Sequence, residues 1–542
     1  MPEFRPADLC VVIPTRDRWS ILERTVASLR SQTVSGSEIV VVVDGTDQGP
    51  RELEGVRIIV KEHGGPGAAR NLGARSTDRP LILLLGDDTI PQPDLIERHV
   101  ARHVAEPATN VAVLGRIDWH PSCARAPVNA WMNWSLTQFD YEGIQGGDAG
   151  WGRFYSSNVS IKRALLLDAG GFDEEFPYAA YEDLDLGYRL NEAGMVLRYE
   201  GAALALHDHT YGLASLRRRF AAVAAGEWLM VSKHPDFPLY FTRQIRHAES
   251  QRKASALWPK IVERVPPSAR SLHRLARERA NRWYLQHVAH NYLGMWEGQK
   301  DLAELKQYLG DAYDESLLRG HTIAVDREFD AAADEDTFYR TSRMYLYDLT
   351  VFAMTGTKRP YVAALKSLVR PGARILDWGC GIGADGLRLL EEGYRVSFAD
   401  FDNPSTEYLK WRLKHRALEA DIFDVAAGDA PGGFDAAYSF DVIEHVEDPF
   451  AFLDALERRA EIVMVNLLEP DPNDVHPHKP LPIAAIMRHA ERKGLLFYAK
   501  FHGRSHLIAY RAAEGSATMR LRGRARRLAG TARAWAKEKV IG

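Results

Sequence analysis

The stretch RPLILLLGDD (79–88) decides how the first half of this chain is read. Five consecutive apolar residues, Leu81–Leu85, run into Gly86 and the paired aspartates Asp87 and Asp88. A short unbroken apolar run bounded by turn residues reads as a strand buried on both faces. Two similar runs precede it: LCVVIPT (9–15), ending at Thr15, and SEIVVVVDG (37–45), carrying Asp44. Between them, WSILERTVASLRSQ (19–32) spaces its apolar residues at helical intervals. Strands alternating with helices predict a parallel sheet covered on both sides. Ligands of such sheets sit beyond the carboxyl ends of the strands. Here those ends carry Thr15, Arg16, Asp44, Asp87 and Asp88.

The whole chain has 542 residues, 46% apolar and 26% charged. That composition excludes a disordered chain, a collagen and a coiled-coil rod, and the length predicts about three domains at roughly 100–200 residues each. No apolar stretch approaches the roughly 18 residues of a membrane span. The opening MPEFRPADLC lacks an apolar signal core, and the three cysteines (Cys10, Cys123, Cys380) are scattered. Neither a secretory signal, a disulfide framework nor a zinc pattern is expected, and the setting expected is cytoplasmic. The net charge of −4 is uneven: residues 519–542 hold eight Lys/Arg and one acid, so the tail carries +7 and the remainder −11. This acidic body excludes a general nucleic-acid binder. The tail is suited either to an anionic membrane surface, on the inner face, or to a solvated end.

Adjacent carboxylates at a strand end repel each other unless a cation lies near. Asp87–Asp88 therefore reads either as oxygen ligands for a hard divalent ion that bridges a diphosphate or as the start of a turn before Pro91. Asp44 is placed to accept hydrogen bonds from a base or ribose. The run HGGPGAARNLGA (63–74) permits close backbone approach, and Arg70 offers a fork for phosphate. In YEDLDLGYRL (181–190), Glu182 and Asp183 stand at a helix start, where acids serve as caps or as a general base for a sugar hydroxyl. His207 and His209 follow the apolar run ALAL and are candidates to complete a metal shell.

Taken in order, VVIPTRDR, VVVDGTD, GGPGAARNLGAR, LLLGDDTIPQPDLIERH, SSNVSIKRALLLDAGGFDEEF, YEDLDLGYRL and HDHT resemble inverting glycosyltransferases of family 2, on the GT-A fold, over about residues 8–220. The resemblance implies nucleotide contacts at Thr15, Arg16 and Asp44. It makes Asp87–Asp88 the DxD-like element for ribose and metal (Mg²⁺ or Mn²⁺), with Asp88 toward the ion. Asp183 becomes the base, with His207 or His209 a metal or diphosphate contact. Gly86 stands where many members carry the first acid of that element.

A second α/β segment follows, with strand signals RILDW, YRVSFAD, FDAAYSFDV, EIVMVNL and LLFYAKF between residues 374 and 501. RILDWGCGIGADG (374–386) sets Asp377, then Gly379, Gly381 and Gly383, before a helix, and Asp400 closes the next strand. Glycines allow close approach of a ligand, and the helix start offers bare N–H groups. Gly381-x-Gly383-x-x-Gly386 also satisfies the short dinucleotide motif, so a nicotinamide-type cofactor competes. Asp377 argues against it, because a carboxylate repels a pyrophosphate and suits an ammonium.

With FDAAYSFDVIEHVEDP (434–449) added, residues 340–513 resemble class I S-adenosylmethionine-dependent methyltransferases. That resemblance puts Asp377 and the glycine loop around the methionine end, Asp400 on the ribose, Asp441 within the cofactor site, and Asp421 or Asp429 near adenine. His445, His476 and His478 are candidate bases for a hydroxyl acceptor. With Glu444 the histidines form an alternative metal set, and Glu444–His445 also reads as a turn pair. EDTFYRTSRMYLYDLT (335–350) is similar to the lead-in helix that covers the cofactor in such enzymes.

The expected organisation is two separate α/β domains, a GT-A glycosyltransferase (1–220) and a methyltransferase (341–513), joined by a helical segment (221–340) and followed by a basic tail (514–542). The expected partners are a nucleotide-sugar donor and a glycan or glycolipid acceptor, methylated on a hydroxyl. The alternative is one catalytic half and one docking module.

Overall fold

A computed structural model describes residues 4–45, 49, 51–428, 430–469 and 479–541. The chain divides into two compact units, Met1–Leu293 and Gly294–Gly542.

The first unit is built on eight strands: β1 (Leu9–Thr15), β2 (Glu38–Asp44), β3 (Arg57–Lys61), β4 (Leu81–Leu85), β5 (Thr89–Pro91), β6 (Val111–Trp119), β7 (Asn158–Lys162) and β8 (Val196–His207). Their order is β3-β2-β1-β4-β7-β6-β8-β5. Strands β1 to β4 run parallel, as the sequence predicts, but β7 pairs antiparallel with both β4 and β6, so the sheet is mixed. Alternate residues of each apolar run go to opposite faces. Val12, Val40, Val42, Ile82 and Leu84 enter one core, and Val11, Ile13, Val41, Val43 and Leu83 the other. All ten have no exposed surface, and each contributes about 1.5–3 kcal/mol by leaving water. This is why the runs are unbroken rather than alternating. Helix Trp19–Arg30 buries Trp19, Leu22, Val26 and Leu29 on one face, the period its sequence announces. Helix Pro66–Arg75 lies so close to the sheet that a Cβ at Gly73 would stand 2.4 Å from Val12 Cγ1.

The second unit has seven strands: β9 (Arg374–Trp378), β10 (Arg395–Asp400), β11 (Ile422–Asp424), β12 (Phe434–Ser439), β13 (Ala460–Leu468), β14 (Leu495–Phe501) and β15 (Ser505–Arg511). The order is β11-β10-β9-β12-β13-β15-β14, five parallel strands closed by an antiparallel pair. Its two faces are again both buried, with Ile375, Phe398 and Met464 in one core and Leu376, Ala399 and Val463 in the other.

Residues 221–340 are mostly helical, and the division between the two compact units falls inside them, at Leu293–Gly294. Helix Leu213–Lys233 and the helices to Leu293 belong to the first unit, where Trp131 stacks on Tyr284 at 4.6 Å and donates to Asn281 Oδ1 at 2.9 Å. From Gly294 onward the helices belong to the second unit. There Asp301 and Glu304 are buried against Arg412 and Arg416 (Glu304 Oε2 to Arg412 Nε 2.8 Å). The basic tail forms helix Ala517–Ile541. Its first half is docked rather than free: Arg526 donates to the Leu495 carbonyl at 2.9 Å, and Arg527 pairs with Glu491 at 2.9 Å. Among the described residues no helix is long and apolar enough to cross a membrane.

Candidate active sites

In the first sheet the chain turns back at β1: β2 and β3 lie on one side and β4 on the other. A crevice opens at such a switch point, beyond the carboxyl ends of the strands. The cavity there measures about 370 Å³, and Thr15, Arg16, Asp44, Arg70, Asp87, Asp88, Glu182, Asp183 and His207 line it. Asp88 and Asp183 therefore share one cavity.

Asp87 accepts from Thr15 Oγ1 at 2.8 Å, and its backbone carbonyl accepts from Thr25 Oγ1 at 2.8 Å. One residue absent from the sequence reading, Arg18, organises the pair: its guanidinium donates to Asp87 Oδ1 at 2.9 Å and to Asp88 Oδ2 at 2.6 Å. Burial, with the Asp88 charge beside it, pushes the Asp87 carboxyl up to about 6. Burial alone would raise Asp88 too, but His207 and Arg18 outweigh it and hold Asp88 below the usual carboxylate range. The pair is thus split, Asp87 raised and Asp88 held ionised by its cationic neighbours.

His207 Nε2 lies 3.3 Å and His209 Nδ1 3.8 Å from the same Asp88 Oδ2. The three side chains expected to hold a metal do converge, yet Arg18 occupies the space between the aspartates where the ion was expected. Among the described residues no three His, Cys, Asp or Glu groups are arranged to hold an ion. One carboxylate oxygen and two imidazoles are donor chemistry that suits a divalent ion, but the Arg18 guanidinium stands 2.6 Å from Asp88 Oδ2 and 3.5 Å from His209 Nδ1, and an ion there would have to displace it. His207 Nδ1 is buried without a hydrogen-bond partner among the described residues.

Asp44 is already saturated. Its oxygens accept from Lys61 Nζ (3.0 Å), Gly64 N (2.8 Å), His63 Nδ1 (2.8 Å) and Gly65 N (2.9 Å). Burial opposes its ionisation, but the Gly64 N–H, Lys61 and His63 prevail and keep it low. A ribose or base would have to displace His63 or Lys61 to reach it. Arg16 is exposed and meets His63 Nε2 at 2.9 Å. Arg70 is not a free phosphate fork: it is buried, one arm donating to Glu182 Oε1 at 3.0 Å, with its guanidinium 5.4 Å over the Phe172 ring.

Glu182 and Asp183 open helix Glu182–Glu192. Burial and the Asp183 charge push Glu182 up to about 7. Burial also raises Asp183, against Arg70 and the backbone N–H groups of Ser156 and Leu184. Leu184 N donates to Asp183 Oδ1 at 2.9 Å. A carboxylate lifted above its ordinary range and open to a cavity is suited to take a proton.

The second cavity, about 400 Å³, lies at the carboxyl ends of β9, β10 and β12. Asp377, Gly379, Gly381, Asp400, Asp441 and His445 line it. Gly383 does not: it caps the following helix with φ +69°, and a Cβ there would meet Leu409 Cδ1 at 2.4 Å. Asp400 Oδ2 accepts from Gly381 N at 2.7 Å, which ties the glycine loop to the end of β10. Burial pushes Asp377 up to about 7 although the Tyr438 phenol and Lys358 oppose it, and burial likewise raises Asp385 and Asp400. Three desolvated carboxyls thus border one cavity, with Arg388 3.6 Å from Asp385.

Asp441 sits in the left-handed region at φ +58°. It exchanges hydrogen bonds with Asn466 at 2.8 and 2.6 Å and pairs with Lys358 at 3.4 Å. The sequence reading did not include Lys358. His445 Nδ1 meets the Tyr339 phenol at 3.0 Å. Glu444 does not line the cavity, and burial with Asp441 nearby raises it to about 8. Asp421 is exposed and outside the cavity, whereas Asp429, His476 and His478 lie outside the described residues.

Residues 10–164 match the family model for glycosyl transferase family 2, and residues 376–461 match a methyltransferase domain model. A pre-mycofactocin glycosyltransferase of Mycobacterium tuberculosis is 29% identical over 240 residues, 42% of this chain and 48% of that protein. A chondroitin synthase of Escherichia coli is 26% identical over 287 residues, 45% of this chain and 40% of that protein. A ubiquinone biosynthesis O-methyltransferase of Xanthomonas campestris is 32% identical over 108 residues, 19% of this chain and 44% of that protein. The chain thus spans about half or less of the length of these relatives. The two family matches fall one in each unit: residues 10–164 of the first match a family 2 glycosyltransferase domain, and residues 376–461 of the second match a methyltransferase domain.

Proposed function

We propose that this protein transfers a sugar, with inversion, from a nucleotide-sugar to a glycan or glycolipid hydroxyl, and methylates a hydroxyl with S-adenosylmethionine. The observation that carries the first half is a single cavity shared by Asp88, the arginine-bridged carboxylates and the raised carboxyl of Asp183. Asp183 takes the proton of the acceptor hydroxyl as its oxygen bonds to the anomeric carbon. The bond from that carbon to the phosphate oxygen breaks on the opposite side, and the electron pair leaves with the nucleoside diphosphate. Arg16 and Arg18 line the same cavity and offer positive charge to it, and Thr15 orients Asp87. A divalent ion, when bound, would neutralise the diphosphate; Asp88, His207 and His209 would hold it once Arg18 withdraws.

In the second unit S-adenosylmethionine, when bound, supplies the methyl group. Asp377 and Asp385 offer carboxylates to its cationic end, Asp400 holds the glycine loop closed, and His445, braced by Tyr339, is placed to take the acceptor proton. Carrying both activities on one chain would raise the local concentration of the sugar-bearing intermediate at the methylating site.

A ligand panel tests the proposal. UDP-, GDP- and dTDP-sugars, each with Mg²⁺ or Mn²⁺, and separately S-adenosylmethionine, are followed by thermal stabilisation, which reaches about 2.7 kcal/mol at a hundredfold excess over Kd. Stabilisation by one donor class and by S-adenosylmethionine is expected. A unit that responds to none of its ligands would be a docking module instead.

A further inference from the structure

The helices that follow the first sheet reach back to the turn that carries Glu182 and Asp183. Tyr181, immediately before them, has φ +73°, a backbone state that a tyrosine keeps only when its surroundings over-determine it. Its phenol donates to Glu227 Oε1 at 3.1 Å. Glu227 has no exposed surface. The same Oε1 accepts from Tyr240 N at 2.7 Å and Phe241 N at 2.9 Å. Oε2 accepts from Thr242 N at 3.0 Å, Thr242 Oγ1 at 2.6 Å and the Tyr292 phenol. One carboxylate thus joins helix Leu213–Lys233, the start of helix Phe241–Ser250, Tyr292 and the turn at Tyr181.

Its neighbour Gly226 presses on the same turn: a Cβ there would lie 2.4 Å from the Ala180 carbonyl oxygen and 3.0 Å from Tyr181 Cβ. Glu227 does not line the donor cavity, and with six donors it has no lone pair left for chemistry. Its effect on the reaction is mechanical.

We propose that Glu227 is a positioning residue for sugar transfer: through Tyr181 it fixes the left-handed turn that aims Asp183 into the donor cavity. This rests on the reading of Asp183 as the base. The helices between Leu213 and Leu293 are then a working part of the transferase.

Tyr181→Phe removes one phenol bond and keeps the ring; Glu227→Gln keeps the shape and removes the charge. Misplacing a reacting group by about 1 Å costs about 100-fold in rate. The expected result is a fall in kcat of about 10-fold for Tyr181→Phe and about 10- to 100-fold for Glu227→Gln, with donor KM and nucleotide Kd within about twofold of wild type. Wild-type kcat in folded Tyr181→Phe, or a lowered melting temperature with unchanged kcat per folded molecule, would overturn the proposal. If Glu227→Gln fails to fold, Tyr181→Phe decides alone. Asp183→Asn assayed alongside separates the two levels. An inactive Asp183→Asn beside a fully active Tyr181→Phe sinks only this inference, and an active Asp183→Asn removes the base assignment beneath it.

Discussion

Binding of S-adenosylmethionine should weaken as pH falls, and the size of the effect follows from Asp377. Burial pushes its carboxyl up to about 7, against the opposing Tyr438 phenol and Lys358. An α-ammonium group, with a pKa of about 7.7–8.0, stays protonated below pH 7. If the ligand ammonium meets the ionised carboxylate, binding lowers the carboxyl pKa, and below pH 7 the empty protein must lose a proton on binding. Affinity therefore rises with pH, the reverse of a site that binds through a protonated acid. With a free-state pKa near 7, the ionised fraction is about one half at pH 7 and about 3% at pH 5.5, so apparent Kd should rise about 15-fold between them.

Calorimetric titration at pH 5.5, 6.25 and 7.0, in buffers of different ionisation enthalpy, reads both the affinity and the released proton. Asp377→Asn should abolish that release and cost about 10- to 100-fold in affinity, the range of a charged hydrogen bond. A Kd that stays flat from pH 5.5 to 7.0, with no proton released, would refute the argument.

Arg18→Ala should tighten Mn²⁺ binding at Asp88 by about tenfold or more, because the ion no longer competes with a guanidinium held at 2.6 Å; unchanged affinity in a metal titration would place the ion elsewhere. Gly383→Ala should lower the melting temperature by several degrees and weaken S-adenosylmethionine binding, since φ +69° and a 2.4 Å approach to Leu409 leave no place for a methyl group; a variant as stable as wild type would contradict this. His445→Ala and Tyr339→Phe should each lower methyl transfer at saturating cofactor while leaving cofactor Kd within about threefold, checked by steady-state kinetics beside calorimetry.

The buried strands were legible because burial on both faces leaves an unbroken apolar signature, as in Leu81–Leu85 and Val40–Val43. Strand β3 escaped notice because its residues are only half buried at the sheet edge, and β15 because polar residues surround its apolar Leu507–Ala509. Asp87, Asp88, Asp183, Asp377 and Asp400 stood at strand ends or a helix start, where topology turns position into placement. Arg18 was hidden by Arg16 two residues earlier in the same PTRDR run; only the structure shows which of the two turns inward. Lys358 and Glu227 lie outside the quoted motifs, and nothing local marks a side chain whose role is set by tertiary partners. The division at Leu293–Gly294 was not legible within the helical stretch 221–340, because helical periodicity reports an apolar face without naming what covers it.

The account turns on Asp183 as the group that deprotonates the acceptor inside the cavity it shares with Asp88. Its most direct test is sugar transfer and donor binding measured together in Asp183→Asn. The account predicts a fall in kcat of about 1000-fold or more with donor Kd within about threefold. Turnover above about a tenth of wild type with intact donor binding would contradict it.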